Sequence, residues 1–415
     1  MIHFNTKINS FLLKALIVLS FFPYLSIIDL PSDTQPYALL LSVFIVLFLS
    51  DFKIPKPLNY YVLFIILFLP LLGIYSGMDL LFVRSSIGYL SLFIISWASY
   101  ILFRYNSINK KFFRNIVIIW FIFGIIQMFL FPQFGSQLIS GFRTTEERGV
   151  VSLAPEPSYY GIICIFFLLL NVIWFKSKTI YLLSSIQIIF FSQSFMIIVY
   201  LFLFYYFLLL SNVNLKSKLI LIFAPIIGYY FLAILFSELV IESSSRTLKL
   251  FSYFFDNPFL VFKIDASAND RLAHIYYSIK GAFDNFLFPK GFSHWEEYIN
   301  SQVKTSNFFW WNSSGRIMST YGSALFEFGF LGISIPYIIN YLIFKSKKRL
   351  ENTTFFLFLF LNVFLLGAIP LAFPPLGILV GYLLYLKSQL HNEKYFNKSI
   401  TPIYSSSSDM FQKIN

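Results

Sequence analysis

The chain has 415 residues, of which 58% are hydrophobic and 12% charged, with a net charge of +12 and a mean hydropathy of +0.73. Soluble domains carry about 25% charged residues, so this composition excludes an ordinary soluble protein and predicts lipid as the main solvent. The excess of basic residues does not predict nucleic-acid binding, because it follows the membrane topology derived below. The single cysteine, Cys164, lies in an apolar segment and excludes an intramolecular disulfide.

A membrane-spanning helix needs about 20 mainly apolar residues. Runs of this kind predict twelve spans, of which the first is an uncleaved N-terminal helix rather than a signal peptide. The predicted spans are 11–29, 36–50, 58–76, 79–102, 112–131, 158–174, 179–192, 194–211, 219–237, 320–344, 354–370 and 374–388. The seventh and eighth are short and separated only by Ser192-Gln193-Ser194, so a pair of short or re-entrant helices would also fit.

The positions of lysine and arginine orient these spans, because both residues concentrate in cytoplasmic loops. With a cytoplasmic N-terminus, 20 of the 31 basic residues fall in inside segments. The short outer loops at 30–35, 77–78, 193 and 366–374 contain none. The sequence therefore predicts an all-α integral membrane protein with about twelve transmembrane helices and both termini in the cytoplasm.

This topology divides the chain into four parts. They are nine helices in 1–237 with an outer loop at 132–157, a large periplasmic loop at 238–319, three helices in 320–390 and a cytoplasmic tail at 391–415. The large loop has equal numbers of acidic and basic residues and is rich in aromatic side chains. Long loops are usually functional or disordered. The aromatic content favours a folded loop that covers the outer face with short helices, such as 270–283.

One polar segment of the outer loops precedes a predicted helix. Arg143 and Arg148 come before Glu156-Pro157-Ser158, where exposed backbone N–H groups and two arginines would form an anion site. Proline in the first turn and a carboxylate at the positive end of the helix also explain this pattern without any ligand.

Further polar residues lie in the large loop and beside it. Arg271 and His274, three residues apart, share one face of the predicted helix. Arg316 precedes a helix that places Glu327 inside the membrane, where an ionised group needs a partner or a cavity. Arg84, at the outer end of the fourth span, either snorkels to the interface or adds to a cationic site. Arginines gathered at the outer leaflet suit a lipid-linked phosphate or diphosphate, because their forks bind phosphoryl oxygens bidentately.

This combination of features resembles the Wzy-type polysaccharide polymerases, and the related O-antigen ligases share the plan. The resemblance is carried by Glu156-Pro157-Ser158-Tyr159-Tyr160-Gly161 after an Arg-bearing loop, the turn Ser192-Gln193-Ser194, and the sequence GSALFEFGFLG at 322–332 after a long outer loop. It implies a GT-C-like fold and a glycosyltransferase of the bacterial inner membrane that needs no metal or cofactor. The substrate would be an undecaprenyl-diphosphate-linked glycan in the surrounding membrane lipid, with a chain-length regulator and a flippase as partners.

The resemblance also implies roles for individual residues. Diphosphate binding falls to Arg84, Arg143, Arg148, Arg271 and Arg316, and Arg271 also stabilises the charge on the departing diphosphate. Glu156 or His274 would accept the proton of the attacking hydroxyl, with Ser158 and Glu327 as further polar candidates. Trp295, Trp310 and Trp311 either stack on sugar rings or anchor the loop at the membrane interface.

Two alternative functions stay open. An O-antigen ligase, which transfers glycan to the lipid A core, shares the predicted plan. A flippase or transporter of lipid-linked oligosaccharide is favoured less, because transporters place their ionisable residues near the bilayer midplane, where this sequence has few.

Overall fold

The computed structural model describes residues 6–400 except 27–33, 51–53, 78–79, 144–148, 215, 222, 224, 226–227, 231–245, 312–314 and 368. Within these ranges the protein is helical and has no β-strand beyond an isolated bridge between Leu25 and Ile139. The helices of the amino-terminal part are α1 (Thr6–Phe21), α2 (Tyr37–Leu49), α3 (Leu58–Ser76), α4 (Leu80–Phe103), α5 (Lys110–Phe129), α6 (Pro157–Trp174), α7 (Lys178–Ile186) and α8 (Phe195–Asn212). A π-helical turn, Gln187–Ser192, continues α7, and a 3₁₀ turn is formed by Ser136–Leu138.

The helices of the carboxy-terminal part include those of the large loop. They are α9 (Arg246–Asp256), α10 (Pro258–Ile264), α11 (Ala266–Asp284), α12 (Trp295–Thr305), α13 (Thr320–Phe328), α14 (Ser334–Lys345), α15 (Lys347–Leu350), α16 (Thr353–Leu366) and α17 (Pro374–Ile400). A 3₁₀ segment, Gly329–Ile333, joins α13 to α14. The prediction that the large loop folds into short helices is confirmed.

Five stretches of the described chain are long and apolar enough to cross a membrane. They are Phe82–Phe103, Lys110–Phe129, Pro157–Trp174, Phe195–Asn212 and Thr320–Lys345. Large apolar side chains such as Leu63, Ile66 and Phe129 lie exposed on the helix surfaces, as expected where lipid replaces water. The chain is therefore an all-helical, multi-pass membrane protein in the part that the structure describes.

Contacts between distant segments sort the helix termini into two ends of the bundle. At one end, Lys387 Nζ donates a hydrogen bond to the carbonyl of Lys56 at 2.7 Å and also lies 5.1 Å from the ring centroid of Tyr341. At the other end, Thr320 Oγ1 donates to the carbonyl of Ile369 at 2.6 Å. Lys56, Tyr341 and Lys387, all predicted near the cytoplasmic face, thus lie together, and so do Thr320 and Ile369, both predicted near the outer face.

Helix α6 is the central helix of the bundle. Its residues Ile163–Leu170 are fully buried, and Tyr160 in its first turns stacks on Trp120 of α5 with ring centroids 5.6 Å apart. Trp120 Nε1 in turn donates to the carbonyl of Phe21 at 3.1 Å. Packing on all sides therefore fixes the start of α6, where Glu156 and Ser158 lie.

Two boundaries differ from the sequence-based prediction. Helix α11 begins at Ala266 rather than at 270, because the Asp265 carboxylate accepts a hydrogen bond from Ala268 N at 2.8 Å and caps the helix earlier. The predicted span 320–344 is interrupted after Phe328, where Gly329 has a φ of +61° and approaches the Leu287 carbonyl so closely that a Cβ would lie 2.1 Å from its oxygen. Only glycine fits there, and the α-helix is replaced by the 3₁₀ segment Gly329–Ile333.

The last helix is longer than predicted, and one predicted span is only partly described. Helix α17 continues to Ile400, past the predicted end of the span at 388, because no proline or glycine follows Gly381 until Pro402. The final part of the predicted tail, 401–415, lies outside the described residues. The same holds for most of the predicted span 219–237, whose described residues are helical.

Candidate functional site

A cavity of about 560 Å³ lies at the end of the bundle where the predicted outer segments meet. Its walls come from the start of α4, the start of α6, the start of α11, residues 315–318, helix α13 and the loop 370–372. It gathers most of the residues singled out in the sequence, namely Arg84, Arg143, Glu156, Arg271, Arg316, Glu327, Trp295 and Trp311. A smaller cavity of about 60 Å³ adjoins it, is lined by Ser158, and shares Glu156, Ser267 and Arg271 with it.

Arg271 is the central cation of the site. It projects from the second turn of α11 and lines both cavities, yet it is only 8% exposed. Within the described part of the chain, its guanidinium forms no ion pair and no hydrogen bond. A guanidinium remains charged at any physiological pH, and burying a charge without a partner is costly. The arrangement is therefore suited to an anion that enters the cavity.

Besides Arg271, four arginines were predicted to bind the diphosphate, and the structure places three of them, Arg84, Arg143 and Arg316, at the large cavity. Arg84 and Arg143 are exposed and Arg316 is half-buried. Arg148, the fourth predicted diphosphate ligand of the loops, lies outside the described residues. The described cavity thus carries four arginines, of which only Arg271 is nearly buried.

Glu156 occupies the N-cap position of α6, followed by Pro157 in the first turn. One carboxylate oxygen pairs with Arg143 at 3.1 Å, and the other accepts a hydrogen bond from Ser158 Oγ at 3.3 Å. The backbone also contributes, because Arg143 N donates to the carbonyl of Pro155 at 2.8 Å. Both predicted polar residues, Glu156 and Ser158, therefore lie at the cavities, with the carboxylate held by its neighbours.

The loop that carries these residues is fixed by contacts that the sequence did not reveal. Ser152 has a φ of +52° and exchanges hydrogen bonds with the side chain of Gln127, at 2.6 Å and 2.8 Å. Gly149 packs against the π-helical turn so closely that a Cβ would lie 2.2 Å from the Phe191 carbonyl oxygen. Gln127 sits in an apolar helix without any motif, so only its polarity inside a span could have drawn attention to it.

His274 does not reach either cavity. Its ring is fully buried, Nδ1 accepts a hydrogen bond from Met318 N at 3.1 Å, and Nε2 lies 3.4 Å from an Asp270 oxygen without good hydrogen-bond geometry. Because the backbone donor occupies the Nδ1 lone pair, Nε2 carries the ring proton and faces Asp270. This placement gives His274 a part in holding residues 315–318 against α11, rather than contact with a substrate as the sequence suggested.

Asn269, two residues before Arg271, organises the tryptophan segment. Its Nδ2 donates to the carbonyls of Phe262 and Phe308 at 2.7 and 3.1 Å, and its Oδ1 accepts from Trp310 N and Trp311 N at 3.1 and 3.2 Å. The side chain is fully buried. All of its hydrogen-bonding capacity is therefore used to hold the segment 308–311 against α11.

The three tryptophans proposed for sugar stacking fall into two groups. Trp310 and Trp311 are 48% and 46% exposed, and Trp311 lines the large cavity. Trp295 also borders the cavity but is 1% exposed and packs edge-on against Phe326, with centroids 5.1 Å apart. Trp311 is thus placed to offer a ring face in the cavity, whereas Trp295 belongs mainly to the core of the loop domain.

Glu327 lies in α13, at the wall of the large cavity, and is 7% exposed. The hydroxyl of Tyr89, from α4, donates a hydrogen bond to Glu327 Oε2. Tyr89 was not singled out in the sequence, because nothing there indicates which tyrosine of an aromatic-rich chain faces the acid. The Tyr89 hydroxyl and the cavity give this buried acid the polar surroundings that an ionisable group inside a membrane span requires.

Helix α13 is held in place from two sides. Towards α11, Gly322 approaches so closely that a Cβ would lie 2.1 Å from Ser278 Oγ. On the other side, Gly291 N donates to the Glu327 carbonyl at 3.1 Å.

Lys290, next to Gly291, lies with its Nζ 4.0 Å from the ring centroid of Tyr298. Burial lowers the pKa of Lys290, and the nearby Asp284 opposes that shift. Burial also raises the pKa of the Tyr298 hydroxyl, together with its hydrogen bond to Asp284.

The smaller cavity contains an ion pair that the sequence analysis did not select. Arg246 of α9 pairs with Asp265, the residue that caps α11. Asp265 is 6% exposed, and Arg246 remains 28% exposed.

Within the described ranges, no three His, Cys, Asp or Glu side chains lie close enough together to hold a metal ion. Comparison of the chain with models of known protein families and with curated protein sequences gives no match. What the fold and the site define is a class: a multi-pass helical membrane protein with an arginine-lined cavity at one end of its bundle.

Proposed function

We propose that this protein is a glycosyltransferase of the bacterial inner membrane. It joins polyprenyl-diphosphate-linked oligosaccharide repeat units into a surface polysaccharide of the O-antigen type at the outer face of the membrane. In this proposal a growing chain leaves its polyprenyl diphosphate and is transferred to the terminal sugar of the next lipid-linked unit. The large cavity holds the diphosphate of the donor and the sugars of both substrates.

The observation that carries the proposal is the guanidinium of Arg271, which is buried at the cavity and has no partner among the described residues. A diphosphate is the ligand that such a group suits best, because its oxygens accept bidentate hydrogen bonds and supply the missing negative charge. Arg84, Arg143 and Arg316 line the same cavity and can contact a dianionic or trianionic group together. Negative charge that builds on the departing diphosphate is stabilised by cations already in position.

The shape of the site also suits a substrate that is part lipid and part sugar. The cavity is bounded by apolar membrane helices, including α4 and α13, and by the folded loop with Trp311. A polyprenyl chain can stay in the bilayer while its diphosphate reaches the arginines. An aromatic face such as that of Trp311 is suited to the apolar side of a sugar ring.

The proposal includes a topology of twelve membrane helices with both termini in the cytoplasm. It is tested by labelling single cysteines in a Cys164→Ser background, since Cys164 is the only native cysteine and is buried. Ser301→Cys, exposed in α12, is expected to react with a membrane-impermeant maleimide in intact spheroplasts. Lys176→Cys, exposed before α7, should react only after permeabilisation. Reaction of residue 176 but not residue 301 in intact spheroplasts would reverse the orientation and remove the proposal.

The reaction itself is tested by deleting the gene and analysing surface glycans on a gel. If the protein is a polymerase, single repeat units should accumulate in the deletion strain, and long chains should reappear when the wild-type gene is restored. Loss of all surface glycan while long lipid-linked chains persist would identify a ligase instead. In the same strain, Arg271→Ala and Arg143→Ala should abolish long chains at normal protein level and insertion. Normal chain length in both variants would defeat the assignment of the cavity.

A further inference from the structure

We infer that the Glu327 carboxylate is the base that accepts the proton of the acceptor hydroxyl during glycosyl transfer. The inference rests on the proposed function, because it assigns a role within the same cavity. It replaces the sequence-based candidates, Glu156 and His274, for this step.

Glu327 has the position that a base requires, and one of its carboxylate oxygens has no hydrogen-bond partner among the described residues. It lines the cavity and is 7% exposed, so it is shielded from bulk water while it still borders the space where a sugar would bind. Its Oε2 accepts a hydrogen bond from Tyr89. Among the residues that the structure describes, no cation and no second donor contacts the carboxylate. Oε1 is therefore available to a substrate hydroxyl within hydrogen-bond reach, as general base catalysis requires.

The other carboxylates of the cavity are engaged by the protein. Glu156 pairs with Arg143 through one oxygen and accepts from Ser158 through the other. Both Glu156 oxygens therefore already have protein partners, which leaves neither oxygen free for an acceptor hydroxyl. Asp270 faces the buried ring of His274 at 3.4 Å, and His274 itself lies outside the cavity lining. Glu327 differs from both in that its described side-chain partner is a hydroxyl and not an arginine or a histidine.

The chemical step is a substitution at the anomeric carbon of the growing chain. The bond between that carbon and the diphosphate oxygen breaks, and its electron pair leaves with the polyprenyl diphosphate. A new bond forms between the same carbon and the acceptor hydroxyl oxygen. The hydroxyl proton passes to Glu327 and is later released to water, which regenerates the carboxylate. Tyr89, bonded to the other oxygen, acts as a positioning residue that orients the carboxylate.

The experiment uses the full-length protein in nanodiscs, with lipid-linked repeat units extracted from the deletion strain as substrate. Glu327→Gln keeps an oxygen that can accept the Tyr89 hydrogen bond but cannot take up a proton. The transfer rate is expected to fall at least about 100-fold, in line with the usual contribution of a general base. Binding of undecaprenyl diphosphate alone should remain unchanged. Glu351→Gln, an exposed acid just before α16, serves as the matched control with a wild-type rate.

A second variant separates a catalytic from a structural role. Glu327→Ala removes the side chain and leaves space for a small carboxylate, so added formate should restore transfer in proportion to its concentration. A merely structural role would give no such rescue. Wild-type-like transfer by Glu327→Gln, or formate rescue of Glu156→Ala but not of Glu327→Ala, would overturn the inference. Failure of the wild-type protein to extend the extracted units would instead defeat the proposed function.

Discussion

Replacing Arg271 by methionine should weaken ligand binding and at the same time stabilise the empty protein. Arg271 is 8% exposed and has no hydrogen-bond or ion-pair partner among the described residues. In the empty protein its burial is an uncompensated cost, which methionine relieves. With a diphosphate bound, the guanidinium supplies charge-assisted hydrogen bonds that methionine cannot make.

The magnitude follows from the type of contact. Hydrogen bonds to charged groups contribute about 1.5–3 kcal/mol, so Arg271→Met should raise the Kd for undecaprenyl diphosphate about 10- to 150-fold. The gain in stability without ligand should be on the order of 1 kcal/mol, because Arg271 borders the cavity and is 8% exposed, so that its charge is not fully desolvated. For Arg271→Lys, the Kd should lie between those of the wild type and Arg271→Met, since lysine keeps the charge and loses the planar fork.

The matched control is Arg246→Met. Arg246 lines the smaller cavity near Arg271, but it pairs with the nearly buried carboxylate of Asp265. Its removal leaves that carboxylate without its cation and should lower stability. Both variants are measured in nanodiscs, by titration with undecaprenyl diphosphate and by thermal unfolding followed through tryptophan fluorescence. If Arg271→Met destabilised the empty protein as much as Arg246→Met does, or left the Kd unchanged, the reasoning from its missing partner would fail.

Two further predictions concern the support of the site. Asn269→Ala removes four hydrogen bonds to backbone groups of the loop domain and should lower the free energy of unfolding by about 3 kcal/mol; a loss below that of an exposed control such as Asn212→Ala would contradict the assigned role. Gly322→Ala brings a Cβ to 2.1 Å from Ser278 Oγ and should cost about 1–3 kcal/mol. Ser278→Ala in the same chain should recover part of that loss, and equal melting temperatures of the single and double variants would refute the contact.

Much of the helical organisation follows from the sequence because it depends on local composition. The apolar runs predicted most of the described helix positions. The interruption after Phe328 was not predictable, since it depends on the approach of the Leu287 carbonyl to Gly329, which are distant in sequence. The early start of α11 depends on the cap formed by Asp265. In the sequence, an aspartate at this position could equally be an ordinary charged loop residue.

The site could be predicted in its residue types but not in its contacts. Arginine is easily recognised in an apolar chain, so the polarity of Arg84, Arg271 and Arg316 was enough to predict them as site residues. The sequence could not distinguish Arg246, which pairs with Asp265, from Arg271, which has no partner in the described part of the chain, because pairing is a property of the folded protein. It also suggested His274 as a substrate contact, since three-residue spacing places it on one face with Arg271 but does not reveal that the backbone of residue 318 occupies its nitrogen.

The hydrogen bonds of Asn269 connect helix α11 to the segment that carries Trp310 and Trp311. The same helical turn that carries Arg271 also fixes the backbone of Trp310 and Trp311. The backbone that carries the Trp311 indole is therefore attached to the same helical turn as Arg271. A ligand that contacts both groups would meet two walls of the cavity that are joined through one buried side chain, that of Asn269.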